Sequence, residues 1–121
     1  MKTIDLSRGM VFVTGGGGSI GGAIAVEAAN AGASVAVADF NLDAAQRVVD
    51  TIVAQGGHAH AYPLDVTHTK SVRDTMASAV SDLGPMVGLV TAAAILRTGS
   101  VASQSEEGWR EIMAVNVEGT F

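Results

Sequence analysis

Along this chain, four short apolar runs alternate with longer segments in which apolar residues recur every three or four positions. A continuous apolar run is typical of a strand covered on both faces of a sheet, whereas the second spacing is typical of a helix with one buried face. The predicted strands cover residues 10–14, 35–38, 60–64 and 87–93. Because strands and helices alternate, the pattern predicts a doubly wound α/β fold, in which a parallel sheet carries helices on both faces.

The helical segments are bounded by residues that commonly start or stop helices. Ser103 and Glu106 have the spacing of a capping box, which predicts the start of the fourth helix. That helix carries Trp109, interpreted as a core or interface anchor. It also carries Asn116 on its apolar stripe, where a polar side chain must be hydrogen-bonded and serves either a function or a structural bond. In chain order, the predicted helices are residues 19–31 ended by Gly32, residues 42–53 ended by Gly56, residues 72–83 ended by Gly84, and the helix opened by Ser103.

A loop of four glycines, residues 15–18, joins the first strand to the first helix. Backbone N–H groups at the start of a helix are free donors at the positive end of the helix dipole, so an anion docks there if nothing bulky blocks its approach. Glycine removes that bulk and permits positive φ. The pattern G-x-G-x-x-G is met by Gly16, Gly18 and Gly21. The loop therefore predicts a phosphate site, although a tight turn alone also uses glycine.

Two acidic residues follow the second and third predicted strands. Asp39 lies 18 residues after Gly21, where a nucleotide-binding βαβ unit places an acid on the ribose hydroxyls. Its charge would repel a 2′-phosphate, and its neighbours Phe40 and Gly18 are not basic, so NAD is favoured over NADP. Asp65 directly follows the third strand, at the same edge of the sheet. Both acids have an alternative interpretation as turn residues.

Composition narrows the classes of function. A net charge of −5 with seven Lys and Arg argues against nucleic acid or an anionic membrane as a partner. The absence of cysteine excludes disulfides and thiolate metal sites, and the spacing of His58, His60 and His68 predicts no metal site. No apolar run reaches membrane-spanning length, so we expect a cytoplasmic protein. Glu106, Glu107 and Glu111 are interpreted as a solvated helix face.

Four segments of the chain resemble the short-chain dehydrogenases/reductases in order and spacing. They are Thr14-Gly-Gly-Gly-Gly-Ser-Ile-Gly21, Asp65-Val66-Thr67, residues 89–95 and residues 109–117. The resemblance implies an NAD(P)-dependent oxidoreductase with a Rossmann-like fold that acts on an alcohol or ketone.

The resemblance also assigns roles to individual residues. The glycine loop would hold the pyrophosphate, Asp39 the adenosine ribose, and Asp65 with the Val66 backbone the adenine, while Asn116 would support proton relay as the catalytic residue. The implied cofactor-binding residues are Gly15, Gly17, Gly18, Ser19, Ile20, Gly21, Asp39, Phe40, Asp65, Val66, Ala92 and Ala93.

The chain departs from the family pattern at three places. The N-N-A-G segment of the family is replaced by residues 91–94, Thr-Ala-Ala-Ala, and Ser19 stands where the family usually has glycine. The catalytic serine and Tyr-x-x-x-Lys of the family follow the Asn116 helix, and the chain ends at Phe121 without them. Its one tyrosine, Tyr62, has no lysine four positions on. We therefore expect residues 1–121 to form a single, incomplete dinucleotide-binding domain.

Two other classes of function stay open at this point. One is a non-catalytic nucleotide-binding or interaction module, and the other is methyl transfer from S-adenosylmethionine, which the Thr14-Gly15 opening of the loop disfavours. In the family the fourth strand is flanked by a fifth, which would follow the end of this chain. We therefore expect an exposed edge on the fourth strand and association into a homo-oligomer.

Overall fold

The computed structural model describes residues 3–121 and contains one parallel sheet. Its strands are β1 (Met10–Thr14), β2 (Ser34–Asp39), β3 (His58–Pro63) and β4 (Met86–Thr91). The helices are α1 (Ser19–Asn30), α2 (Leu42–Ala54), α3 (Thr69–Leu83) and α4 (Glu106–Met113). A short 3₁₀ turn, Val101–Ser103, precedes α4, and a π-helical turn, Ala114–Glu118, continues it.

The strand order is β3-β2-β1-β4, so the chain reverses its direction of travel across the sheet at β1. The first three strands build outward on one side of β1, and β4 then pairs with its other side. In open parallel sheets, a crevice for ligands forms beside such a switch point, outside the carboxyl ends of the strands. The doubly wound α/β prediction is confirmed.

Side chains of successive strand residues point to opposite faces, and each face has its own core. On one face, Val13 and Val37 pack with Ala25 of α1 and Val49 of α2. The buried residues of α1 are all small, glycine or alanine, so the helix lies close to the sheet. On the other face, Phe12 and its neighbours pack with α3. The strongly apolar β1 and β2 thus lie between two helical layers, and their carboxyl ends are held rigidly at one edge.

β1 has the predicted bounds, but β3 and β4 do not. β3 begins at His58 because it pairs in register with the full length of β2, from Ser34 opposite His58 onward. β4 ends at Thr91 because its neighbour β1 ends at Thr14, the residue opposite it. The predicted strand limits of 60–64 and 87–93 are therefore wrong by about two residues at these ends, since pairing with a neighbour decides them.

The predicted capping box of the last helix is also wrong. Ser105 is the N-cap, and its Oγ accepts a hydrogen bond from the Gly108 N–H at 3.0 Å. Ser103 instead belongs to the preceding 3₁₀ turn, where its hydroxyl donates to the Ser100 carbonyl. Trp109 is 58% exposed, so it is not a core residue within the described structure.

Candidate functional site

The glycine loop is shaped by contacts that leave no room for side chains at most of its positions. Gly15 has φ of +64°, a left-handed conformation, and a Cβ there would lie 2.6 Å from the Ala92 carbonyl carbon. A Cβ on Gly21 would lie 2.2 Å from the Gly15 carbonyl oxygen, and one on Gly17 would lie 2.8 Å from Ala44. The loop is therefore held close to α1, α2 and the end of β4 at once.

Gly18 differs from the other glycines of the loop. A Cβ there would have one neighbour within 4 Å, the Gly15 carbonyl oxygen at 3.3 Å. Gly18 is also the N-cap of α1 and has no side chain to cap the helix. The first N–H groups of a helix have no partner inside it, so this end of α1 offers uncapped donors to a ligand.

Asp39, at the carboxyl end of β2, reaches across to the glycine loop. Its Oδ2 accepts a hydrogen bond from the Gly17 N–H at 2.9 Å, and its Oδ1 accepts one from the Asn41 N–H at 2.8 Å. Asn41 is itself the N-cap of α2 and accepts from the Ala44 N–H. Each carboxylate oxygen has two acceptor sites, so each retains capacity for one further donor.

Asp65 follows β3 on the same edge of the sheet. Its Oδ1 accepts hydrogen bonds from both the N–H and the hydroxyl of Thr67, at 2.9 and 2.6 Å. Its Oδ2 lies 3.1 Å from Nδ1 of His68. The Thr67 hydroxyl holds the pKa of the Asp65 carboxyl below its ordinary value of 3.8. Asp65 thus forms the turn that leads into α3, and one side of Oδ2 stays available.

A cleft of about 850 Å³ runs along these strand ends. It is bordered by the glycine loop, the ends of β2 and β3, residues 92–95 after β4, and the inner side of α4 with its continuation. Of the implied cofactor-binding residues, the ones that line it are Gly15, Gly17, Gly18, Asp39, Phe40, Asp65, Val66, Ala92 and Ala93.

Four of the residues predicted for the site lie outside the lining of this cleft. Ser19 lines a neighbouring groove between α1 and α2. Ile20 is 75% exposed on the first turn of α1, and Gly21 is buried under the loop. Asn116 reaches the cleft indirectly, because its side chain makes two hydrogen bonds to the backbone of Ile95, which lines it.

Sequence reasoning also missed residues that the fold brings to the cleft. Glu111 was interpreted as part of a solvated face, but it lines the cleft together with Val115. Asn41 and Thr67 line it as well, and each organises an acid of the site. Asn41 and Thr67 each follow an aspartate by two residues, a local signal that sequence reasoning could have used. Glu111 had no such signal.

The other titratable candidates lie elsewhere. Tyr62 belongs to the core beside α3, where its hydroxyl donates to Asp82 at 2.7 Å; burial, reinforced by Asp82, raises the pKa of this phenol. Within residues 3–121, no group of three or more His, Asp or Glu residues is placed to hold a metal ion. Nor does any helix in that range combine the length and hydropathy needed to cross a bilayer.

Comparison with known proteins agrees with this geometry. Residues 9–121 match the family model described as short chain dehydrogenase. The chain is 36% identical over 121 residues to 2,3-dihydro-2,3-dihydroxybenzoate dehydrogenase of Bacillus subtilis, covering 100% of this chain and 46% of that protein. It is 38% identical over 113 residues to cyclohexanol dehydrogenase of an Acinetobacter species, covering 93% and 45%.

Solved structures show the same relationship. A short-chain type dehydrogenase/reductase from Mycobacterium marinum superposes with a TM-score of 0.94 at 34% identity, covering 98% of this chain and 48% of the other. A dehydrogenase/reductase from Sinorhizobium meliloti gives a TM-score of 0.93 at 34% identity, covering 98% and 48%. The chain belongs to the short-chain dehydrogenase family and spans about half the length of these relatives. Dehydrogenases of this family bind nicotinamide dinucleotides.

Proposed function

We propose that this chain is the NAD-binding portion of a dehydrogenase that transfers hydride between a nicotinamide cofactor and an alcohol or ketone. The observation that carries the proposal is the Asp39 carboxylate, which is fixed to the Gly17 N–H at the border of the cleft. A fixed carboxylate with one free acceptor site on each oxygen suits a pair of ribose hydroxyls. The uncapped start of α1 suits the pyrophosphate that adjoins this ribose.

The chemistry of Asp39 also favours NAD over NADP. A 2′-phosphate would place a second anion against this carboxylate, and like charges at hydrogen-bonding distance repel strongly. Two neighbouring positions, Gly18 and Phe40, could carry a basic side chain to bind such a phosphate, and neither does.

The far end of the cleft suits the adenine. Phe40 is 81% exposed at its border and offers an aromatic face, while Val66 lines the cleft after β3. The free acceptor site on Oδ2 of Asp65 is available to an exocyclic amine. These residues would bind and orient the base but would take no part in proton transfer.

The bound nicotinamide supplies the hydride chemistry. Asn116 would support the proton relay from its place beside Ile95, and the family resemblance implies a serine and a Tyr-x-x-x-Lys to complete the relay. Because this sequence contains no Tyr-x-x-x-Lys, we expect the 121-residue polypeptide alone to show no turnover of alcohols or ketones with NAD(H). A steady, protein-dependent change in NADH absorbance would contradict this expectation.

Calorimetric titration with NAD and NADP tests the cofactor proposal. Wild-type protein should bind NAD more tightly, and Asp39→Asn should lose most of that preference, because asparagine removes the charge while its one side-chain oxygen still accepts from one of the two backbone N–H groups. Asp43→Asn is the matched control, since Asp43 lies on the first turn of α2 outside the cleft lining. Equal affinity for both cofactors in wild type and Asp39→Asn would remove Asp39 from this role.

A further inference from the structure

The cleft that we propose to hold an anionic ligand is lined by acidic side chains. Three acidic residues line it, namely Asp39, Asp65 and Glu111, and among the described lining residues there is no lysine or arginine. Each ionised carboxylate repels a pyrophosphate, and the repulsion is stronger the closer the two groups lie. The structure must therefore limit the negative potential of these acids in some other way.

The three carboxylates are compensated differently. Asp39 accepts from two backbone N–H groups, and Asp65 accepts from Thr67 and faces His68. Glu111 is paired with the guanidinium of Arg97. Arginine stays protonated at every physiological pH, so Glu111 is the acid of this cleft that is matched by a permanent cation.

The position of Arg97 follows from the fold around it. It lies two residues after Ile95, whose backbone is bound to the side chain of Asn116. The stem of Arg97 passes α4 beside Gly108, where even a Cβ would lie at an ordinary van der Waals distance of 3.6 Å from the Arg97 Cδ. The loop after β4 thus places the Arg97 guanidinium next to Glu111, on the side of Glu111 that lies outside the cleft.

The pair of Arg97 and Glu111 contributes little to stability. The side chains of Arg97 and Glu111 are 51% and 46% exposed, and ion pairs in such positions contribute little to the free energy of folding. The pair lies where the cleft meets a neighbouring pocket, because Glu111 lines both and Arg97 lines only the second. A carboxylate at that boundary acts on the charge of whatever the cleft binds.

We propose that Arg97 is a charge-compensating residue of the cofactor site, which neutralises Glu111 so that an anionic dinucleotide can occupy the cleft. This inference rests on the proposed function. Arg97 acts through Glu111 and is a positioning residue, not a catalytic one. Loss of Arg97 should therefore weaken the binding of anionic ligands and leave the binding of neutral ligands unchanged.

Titration with ADP and with adenosine tests the role of Arg97, because the two ligands share a base and ribose but differ in charge. Arg97→Gln should weaken ADP binding roughly threefold at low ionic strength, with a smaller deficit at high salt. Adenosine affinity should not change. Glu111→Gln should bind ADP at least as tightly as wild type, the double variant should recover the loss, and Arg97→Lys should behave like wild type.

Arg110→Gln is the matched control, because Arg110 pairs with Glu106 on the same helix and neither residue lines the cleft. It should leave ADP affinity unchanged. The inference would be overturned if Arg97→Gln and Glu111→Gln lost the same ADP affinity, or if Arg97→Gln lost as much affinity for adenosine as for ADP. Either result would show a purely structural role. Unchanged ADP affinity in Arg97→Gln would also overturn it, while leaving the cofactor proposal intact. Failure of wild-type protein to bind either ADP or NAD would overturn both.

Discussion

The side chain of Asn116 holds the backbone of Ile95 by two hydrogen bonds, one accepted from the Ile95 N–H at 2.8 Å and one donated to its carbonyl at 2.9 Å. The π-helical turn after α4 is thereby fastened to the segment that follows β4. Sequence reasoning left open whether Asn116 has a structural or a functional role. The geometry establishes the structural bonds, and the role in proton relay stays a prediction.

Replacement of Asn116 by leucine should destabilise the protein by about 1–3 kcal/mol, because it leaves both backbone groups of Ile95 without these partners. Asn116→Asp should also destabilise the protein, because it keeps the acceptor for the Ile95 N–H but sets a carboxylate oxygen against the Ile95 carbonyl oxygen. Urea denaturation measures both effects. The control is Asn30→Ala, which removes an exposed side chain whose contact with Glu27 is long, at 3.5 Å. Equal stability of Asn116→Leu and wild type would contradict the prediction.

Two glycines of the loop should respond differently to the same substitution. Gly21→Ala forces a Cβ to 2.2 Å from the Gly15 carbonyl oxygen, so we expect a loss of about 1–3 kcal/mol in stability and loss of NAD binding. Gly18→Ala meets one atom, at 3.3 Å, and should cost less, about 0.5–1 kcal/mol, mainly because alanine is a poorer helix N-cap than glycine. Thermal denaturation and NAD titration compare them, and the same response from both variants would refute the proposed loop geometry.

The turn at Asp65 predicts a pH dependence. Because the native pKa of Asp65 lies below its ordinary value of 3.8, this carboxylate stabilises the fold at pH values above 3.8, and the contribution is lost as the pH falls through the native pKa. Thr67→Val removes the hydroxyl and should raise the pKa toward 3.8. The stability difference from wild type should therefore be present at neutral pH and shrink in acid.

NMR titration of the Asp65 carboxyl carbon measures this pKa directly, and denaturation at several pH values measures its effect on stability. Thr51→Val is a suitable control, because it removes a hydroxyl that donates to the Arg47 carbonyl within α2, and its effect should not vary with pH in this range. An unchanged Asp65 pKa in Thr67→Val would count against the turn as the cause.

The edge of the sheet formed by β4 predicts that the protein associates with itself. Among the described residues, β4 pairs only with β1, and Leu89 in this strand is 52% exposed. Such an edge with no charge or proline favours pairing with another strand, so we expect the 121-residue polypeptide to self-associate. Light scattering should show a species larger than 12.2 kDa.

Lysine substitutions locate that contact. Leu89→Lys should weaken an assembly built on β4, whereas Val117→Lys, on the exposed continuation of α4, should not. A strictly monomeric wild-type protein at high concentration would rule out self-association. Weakening by Val117→Lys alone would place the contact on the terminal helix.

The sequence was sufficient for features that depend on local pattern. β1 begins and ends at the predicted residues because a continuous apolar run suits a central strand covered on both faces. The glycine loop and the acid at the end of β2 were predicted because strand, turn and helix follow one another directly along the chain. The convergence of Asp39 and Asp65 on one edge followed from parallel topology alone.

Tertiary structure decided what depends on pairing between distant residues. β3 extends back to His58 because β2 offers a partner there, although the local sequence is polar. Glu111 lines the cleft and pairs with Arg97, 14 residues away in sequence, because α4 folds back against the loop after β4. No periodicity encodes such a meeting. The local sequence predicts that a charged residue on a helix faces solvent. The groups with which that charge interacts depend on which residues the fold places near it.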